Sequence, residues 1–264
     1  MSERQHLPIR EFASDAPHPR VIVAGHERSG NHFLINTLAQ NFGYLAEPRI
    51  DLDPYRINVD ADSPERLGWF LRALSPRRLS NIIKSHHSAD FFSPLADVLA
   101  AHYHVIYIHR HPATTLRSFW RMTQQVTALD TGPPCSCHAF PKQRPTGKPL
   151  RYQKDDADSW LHRWKHHVEG WLQLASAQPG ILVLRYEDLD MDHPGTTARI
   201  GDFLGLATSG YRRPDRATGV ILPSEEAEYA SSCPLHGMET AWFETVTGTL
   251  LEQLDYDLLP PGHT

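Results

Sequence analysis

Four apolar residues, Val21-Ile22-Val23-Ala24, run directly into Gly25-His26-Glu27-Arg28-Ser29-Gly30-Asn31-His32, and an amphipathic segment follows from Phe33. A strand, a glycine-bracketed loop and a helix start, in that order, build an anion cradle. The N–H groups of the loop and of the first helical turn converge on one spot, where the helix dipole favours negative charge. The glycines permit the turn and a close approach, and Arg28 adds a planar fork of donors suited to phosphate or sulfate oxygens. Gly25 and Gly30 keep the spacing of the triphosphatase loop G-x-x-x-x-G-K-[ST], but Asn31 and His32 replace its lysine and its magnesium-holding hydroxyl. The later strand Val105-Ile106-Tyr107-Ile108 ends in His109-Arg110, without the aspartate that would hold the metal. The cradle reads as a phosphate site that works with no metal.

Hydrophobic residues make up 40% of the 264, enough for one good core, and an α/β chain of this length forms a single domain. A formal charge of −5, from 26 basic and 31 acidic residues, argues against a general nucleic-acid binder. No apolar run approaches the roughly 20 residues that span a bilayer. No leader stands out in the polar residues 1–19, and the three cysteines cannot all pair. The plain reading is a cytoplasmic protein.

Residues 1–19 read as a flexible arm and 20–264 as one domain. Strands are expected at about Arg20–Ala24, Asn81–Lys84, His104–His109 and Ile181–Leu184. Helices are expected at Asn31 to about Phe42, near 64–74 and 93–102, from Pro112 through Met122, along the stripe Trp160, Trp164, Val168, Trp171 and Ala175, and at about 194–204. Residues 45–62 look irregular, and the tail from 205 is mixed and proline-punctuated. Residues 127–156, rich in proline and glycine, read as a long inserted loop, a candidate lid over an acceptor. Alternating strands and helices imply a central parallel sheet flanked by helices, with ligands gathering at the carboxyl ends of the strands. The loops after residues 24, 84, 109 and 185 should meet at one crevice.

Four strand-end signatures, in order, make the chain resemble the sulfotransferases that use 3′-phosphoadenosine 5′-phosphosulfate (PAPS). The family's phosphosulfate loop, P-[KR]-S-G-T-T-[WL], is similar to Glu27-Arg28-Ser29-Gly30-Asn31-His32-Phe33. Its K-[TS]-H segment is similar to Lys84-Ser85-His86. Its R-[ND]-P segment with a serine on the next helix is similar to Arg110-His111-Pro112 with Ser118, and its [RF]-Y-E-D-[LM] element stands intact at Arg185–Leu189. Departures are Glu27 in place of proline, Asn31 and His32 in place of two threonines, and Leu235 in place of an arginine in the C-terminal R-K-G-x-x-G-D-W element.

The resemblance implies the phosphate-loop-like sulfotransferase fold and transfer of a sulfuryl group from PAPS to a hydroxyl or amine, leaving adenosine 3′,5′-bisphosphate (PAP). It places the base at His86, with His87 as the less favoured neighbour, and transition-state stabilisation at Arg28 and Lys84. Donor binding falls to Arg28, Ser29, Gly30, Asn31, His32, Phe33, Arg110, Ser118 and Tyr186. No metal is called for. Cys135, Cys137 and His138 would make half a zinc site, but no second pair follows at suitable spacing. The acceptor is a small molecule or glycan of unread identity, and the oligomeric state, a homodimer included, stays open. Two other readings stand beside this one: a small-molecule kinase using ATP and magnesium, and a non-catalytic adenine-nucleotide-binding protein of the same fold.

Overall fold

The structure is a computed structural model that describes residues 18–52, 61–77, 80–208, 210–215 and 239–258. Five parallel strands form one sheet in the order β2-β3-β1-β4-β5. They are β1 (Val21–Ala24), β2 (Leu45–Asp51), β3 (Asn81–Ser85), β4 (His104–His109) and β5 (Ile181–Arg185). The helices used below are α1 (Asn31–Phe42), α2 (Pro64–Leu74), α3 (Ala96–His102), α4 (Pro112–Gln125), α5 (Trp160–Ala177), α6 (Tyr186–Met191), α7 (His193–Leu204) and α8 (Thr240–Gln253). The first crossovers carry the chain to β2 and β3 on one side of β1, and the later ones to β4 and β5 on the other. The loops after β1, β3 and β4 are thereby brought to one edge of the sheet, where such folds take their ligands.

The strands are apolar on both faces because helices cover both faces. In β1, Ile22 and Ala24 enter the core beneath α2, α3 and Trp171, while Val21 and Val23 enter the opposite core with α1 and α7. In β4, Val105 and Tyr107 join the first core and Ile106 and Ile108 the second. Helix starts follow local chemistry. Ser63 accepts from the Arg66 N–H ahead of Pro64, Ser159 accepts from the His162 N–H, and Asp192 accepts from the Gly195 N–H.

Three segments differ from the sequence expectation. Residues 45–51, read as irregular, form the edge strand β2, whose pairing with β3 shifts register between Leu45 and Ile50. Pro48 hides the alternation, and an edge is where a strand tolerates proline. The tail holds α8, which buries Phe243, Val246, Leu250 and Leu251. The insertion 127–156 is built of short 3-10 turns rather than left structureless. Phe140 is buried and stacks on Trp160 at 5.3 Å, while the Trp160 N–H donates to the Gln143 carbonyl at 3.0 Å.

Residues 1–17 of the expected arm, and Leu235 with its neighbours, lie outside the described residues. His18 is held by a 2.8 Å hydrogen bond between Nε2 and the Phe42 carbonyl. Among the described residues no helix is long and apolar enough to cross a membrane.

Candidate active site

The loop between β1 and α1 is fixed by contacts that leave no room for substitution at its two glycines. A Cβ on Gly25 would sit 2.6 Å from the Ile108 carbonyl oxygen and 2.5 Å from Asn31 Oδ1. Gly30 has φ +102°, and a Cβ there would meet the Tyr186 ring at 2.3 Å. Between them Arg28 takes φ +68°, a left-handed conformation that costs a non-glycine residue energy. That conformation sends its Nε to Ser118 Oγ on α4, 2.9 Å away. No side chain caps α1, so its first amides keep the orientation that suits an anion. Ser29 Oγ is fully buried without a hydrogen-bond partner among the described residues, an orphan donor that an anionic oxygen would satisfy.

His86 follows the end of β3. Its Nδ1 lies 2.8 Å from the Gly25 carbonyl. A carbonyl only accepts, so Nδ1 carries the proton and Nε2 keeps its lone pair. Asn31 Nδ2 donates to the same Gly25 carbonyl and to the Ser85 carbonyl, both at 3.4 Å, tying the phosphate loop to the end of β3. Tyr152, from the insertion, packs edge-on against the ring at 5.7 Å. Burial, then the Lys84 charge, hold the imidazole well below its usual pKa, with His32 pushing the same way.

Lys84 is 4% exposed, and its Nζ donates to both oxygens of Asp51, at 3.3 and 3.2 Å. Asp51 also pairs with Arg49 Nε at 3.5 Å. The ammonium is therefore held from the neighbouring strand, with one of its three donors left over from that pair. His87 is buried between Phe91 and Tyr152 and pushed by burial to a pKa of about 4.

Beyond β4, the Arg110 guanidinium stacks 4.4 Å over the Tyr186 ring, the same ring that closes on Gly30. Phe33 is 3% exposed and packs against Tyr186 and His193, with the Arg213 guanidinium 5.5 Å away. Glu187 accepts from the His111 N–H at 3.0 Å and from the Tyr256 hydroxyl at 2.7 Å, locking α8's end to the strand ends. The contacts among these residues fall in three pairs: Arg28 with Ser118, Asn31 with His86 through the Gly25 carbonyl, and Arg110 with Tyr186. Lys84 reaches the group through its field at His86.

Sequence reasoning passed over Asp51 and the partners of Glu27. Arg163 donates through Nη1 and Nη2 to the two Glu27 oxygens, at 2.9 and 3.0 Å, and is fully buried. Helical spacing carried a signal for it, because Arg163 and His167 fall on the buried face with Trp160, Trp164 and Trp171. Cys137 is disulfide-bonded and Cys135 a free thiol, so Cys137 is not available to the half zinc site.

The family model described as "Sulfotransferase domain" matches residues 18–222, most of the chain. The chain belongs to the sulfotransferase family. It is 33% identical over 134 residues to Sulfotransferase 2A6 of Mus musculus, across 49% of this chain and 39% of that protein, so it matches well under half of that curated relative. Two solved sulfotransferase structures share the fold. One, from Alicyclobacillus acidocaldarius, has 15% identity and a TM-score of 0.54, covering 92% of this chain and 98% of that one. The other, the sulfotransferase domain of the olefin synthase of Synechococcus PCC 7002, has 16% identity and a TM-score of 0.52, covering 96% and 100%.

Proposed function

We propose that this sulfotransferase moves a sulfuryl group from PAPS to an acceptor hydroxyl or amine, leaving PAP. The observation that carries this is the contact of one loop with both halves of a transfer site. Arg28 bonds Ser118 on the donor side, and Asn31 shares the Gly25 carbonyl with His86 on the acceptor side. His86 Nε2 takes the acceptor proton as the acceptor oxygen or nitrogen bonds to sulfur. The bond from sulfur to the bridging oxygen breaks, and its electron pair stays on the 5′-phosphate of PAP. Arg28 and the remaining donor of Lys84 neutralise charge moving onto that oxygen, a role weighted toward the transition state. Ser29, Gly30, Asn31 and His32 cradle the 5′ end, and Arg110 with Ser118 holds the 3′-phosphate. Tyr186 and Phe33, buried against each other, wall the adenine side. Turn residues 148–152 cover the acceptor side.

Calorimetry with PAP, against ATP with magnesium, tests the donor. Labelled PAPS with a panel of phenols, alcohols, sugars and amines tests the transfer. PAP binding plus label on one acceptor class is the expected result. Binding of ATP with magnesium but not PAP would replace this reading with a kinase, and PAP binding without any transfer would leave a nucleotide-binding protein.

A further inference from the structure

Glu27 stands where its family usually has proline, one residue before the strained Arg28 and beside the anion cradle. An acid there should repel a phosphosulfate. The structure shows how it is neutralised. Arg163 of α5 grips both carboxylate oxygens, and its Nη1 lies 2.7 Å from His26 Nε2. A guanidinium only donates, so His26 accepts at Nε2 and donates from Nδ1 to the Glu27 carbonyl at 2.9 Å. The three residues are 0%, 5% and 0% exposed for His26, Glu27 and Arg163. Burial alone would raise the Glu27 carboxyl, yet Arg163 and then His26 pull it well below the carboxylate range.

The same guanidinium reaches a second loop. Arg163 Nη2 donates to the Pro149 carbonyl at 3.1 Å, and Gln153 Nε2 donates to the Arg163 carbonyl at 2.9 Å. Pro149 and Tyr152 belong to one 3-10 turn, and Tyr152 packs on His86 while its carbonyl accepts the Ser88 N–H at 2.7 Å. One turn along α5, His167 completes the link. Its Nε2 donates to the His86 carbonyl at 3.2 Å, and its Nδ1 accepts from the Tyr107 hydroxyl at 3.0 Å.

We infer that Glu27 and Arg163 form a positioning pair that fixes the donor loop against the acceptor-side turn, so that Arg28 and His86 face one another at a set distance. The inference rests on the transferase reading above. Neither residue reaches the reacting atoms; each acts through a neighbour, Arg28 on one side and Tyr152 with His86 on the other. A merely structural pair would lower stability and leave the turnover of the folded protein intact. A positioning pair would lower kcat in protein that is fully folded, and would let PAPS lose its sulfuryl group to water rather than to the acceptor.

The test compares the full-length wild type with Glu27→Gln, Arg163→Lys and the double replacement Glu27→Met/Arg163→Met. The readouts are thermal midpoint, PAP affinity, kcat on the best acceptor of the panel, and acceptor-independent PAPS hydrolysis. A buried ion pair replaced whole by apolar side chains commonly leaves a folded protein, whereas removing one partner strands a charge. In folded variants kcat should fall about tenfold or more, with PAP affinity changed by less than about threefold. The ratio of transfer to hydrolysis should fall with it. The double replacement should lose no more than the worse single one, since the two residues act as a unit. Should the double variant not fold, Arg163→Lys decides, since it keeps the charge and loses the fork. Wild-type kcat in any folded variant would overturn the positioning role. A wild type that neither binds PAP nor transfers sulfate would instead overturn the transferase reading beneath it.

Discussion

His86 stays neutral where a free imidazole is half charged, because burial and the Lys84 charge oppose its protonation while the Gly25 carbonyl fixes its tautomer. A base must be unprotonated to act, so activity is lost only as pH falls through the depressed pKa. The acid limb of kcat/KM should therefore lie below the ordinary imidazole value of about 6.5. His86→Ala should lower kcat by about 10²-fold or more while PAP affinity is nearly kept. Wild-type kcat in His86→Ala, or an acid limb above that value, would remove His86 from the base position. The positions of the candidate residues at one sheet edge were readable from sequence order: Lys84 lies in the last pleat of β3, His86 and Arg110 directly follow β3 and β4, and Arg28 lies in the loop after β1. What Lys84 touches was not readable. Its partner Asp51 lies on a strand whose proline and charges imitate a loop, and only the β2–β3 register brings the two side by side.

At the scale of elements, the insertion 127–156 is the part that sequence reasoning described least well. Its prolines and glycines read as a long inserted loop, a candidate lid over an acceptor. The chain plants Phe140 of that loop against Trp160 and Phe119, and hands the Gln143 carbonyl to the start of α5. Such anchors have no periodicity for a sequence pattern to reveal; they depend on where α4 and α5 bring their aromatic faces. Helix α8 differs, since Phe243, Val246, Leu250 and Leu251 do carry helical spacing, and the threonines between them masked it. Phe140→Ala should destabilise the protein by about 3–5 kcal/mol, the cost typical of emptying a large aromatic site. Denaturant unfolding checks the stability. A loss below about 1 kcal/mol would mean that the insertion is not pinned at Phe140.

At the scale of the whole molecule, the parallel sheet was legible from four buried strands alternating with helices, and the site's edge from strand order. The buried polar chemistry beneath that edge was not, although it gives the fold a definite response to acid. His26, His87 and His111 are pushed to pKa values of about 4, and His109 to about 3, chiefly by burial; each is no more than 2% exposed. His86 and His167 shift in the same direction. Unfolding returns each to an ordinary value near 6.5, so between that pH and about 4 the unfolded chain binds more protons than the folded one. Stability then falls as pH falls, by up to about 1.4 kcal/mol per pH unit for each histidine fully charged in the unfolded state only. Glu27 adds to the loss at lower pH. Its carboxyl is depressed by Arg163, so its contribution is present above its unfolded value and lost below. Denaturant unfolding followed from pH 7 to pH 5 should give a free energy that drops steeply, with a slope of more than one proton taken up per molecule. A profile flat over that range would mean that these histidines do not stay neutral beneath the site.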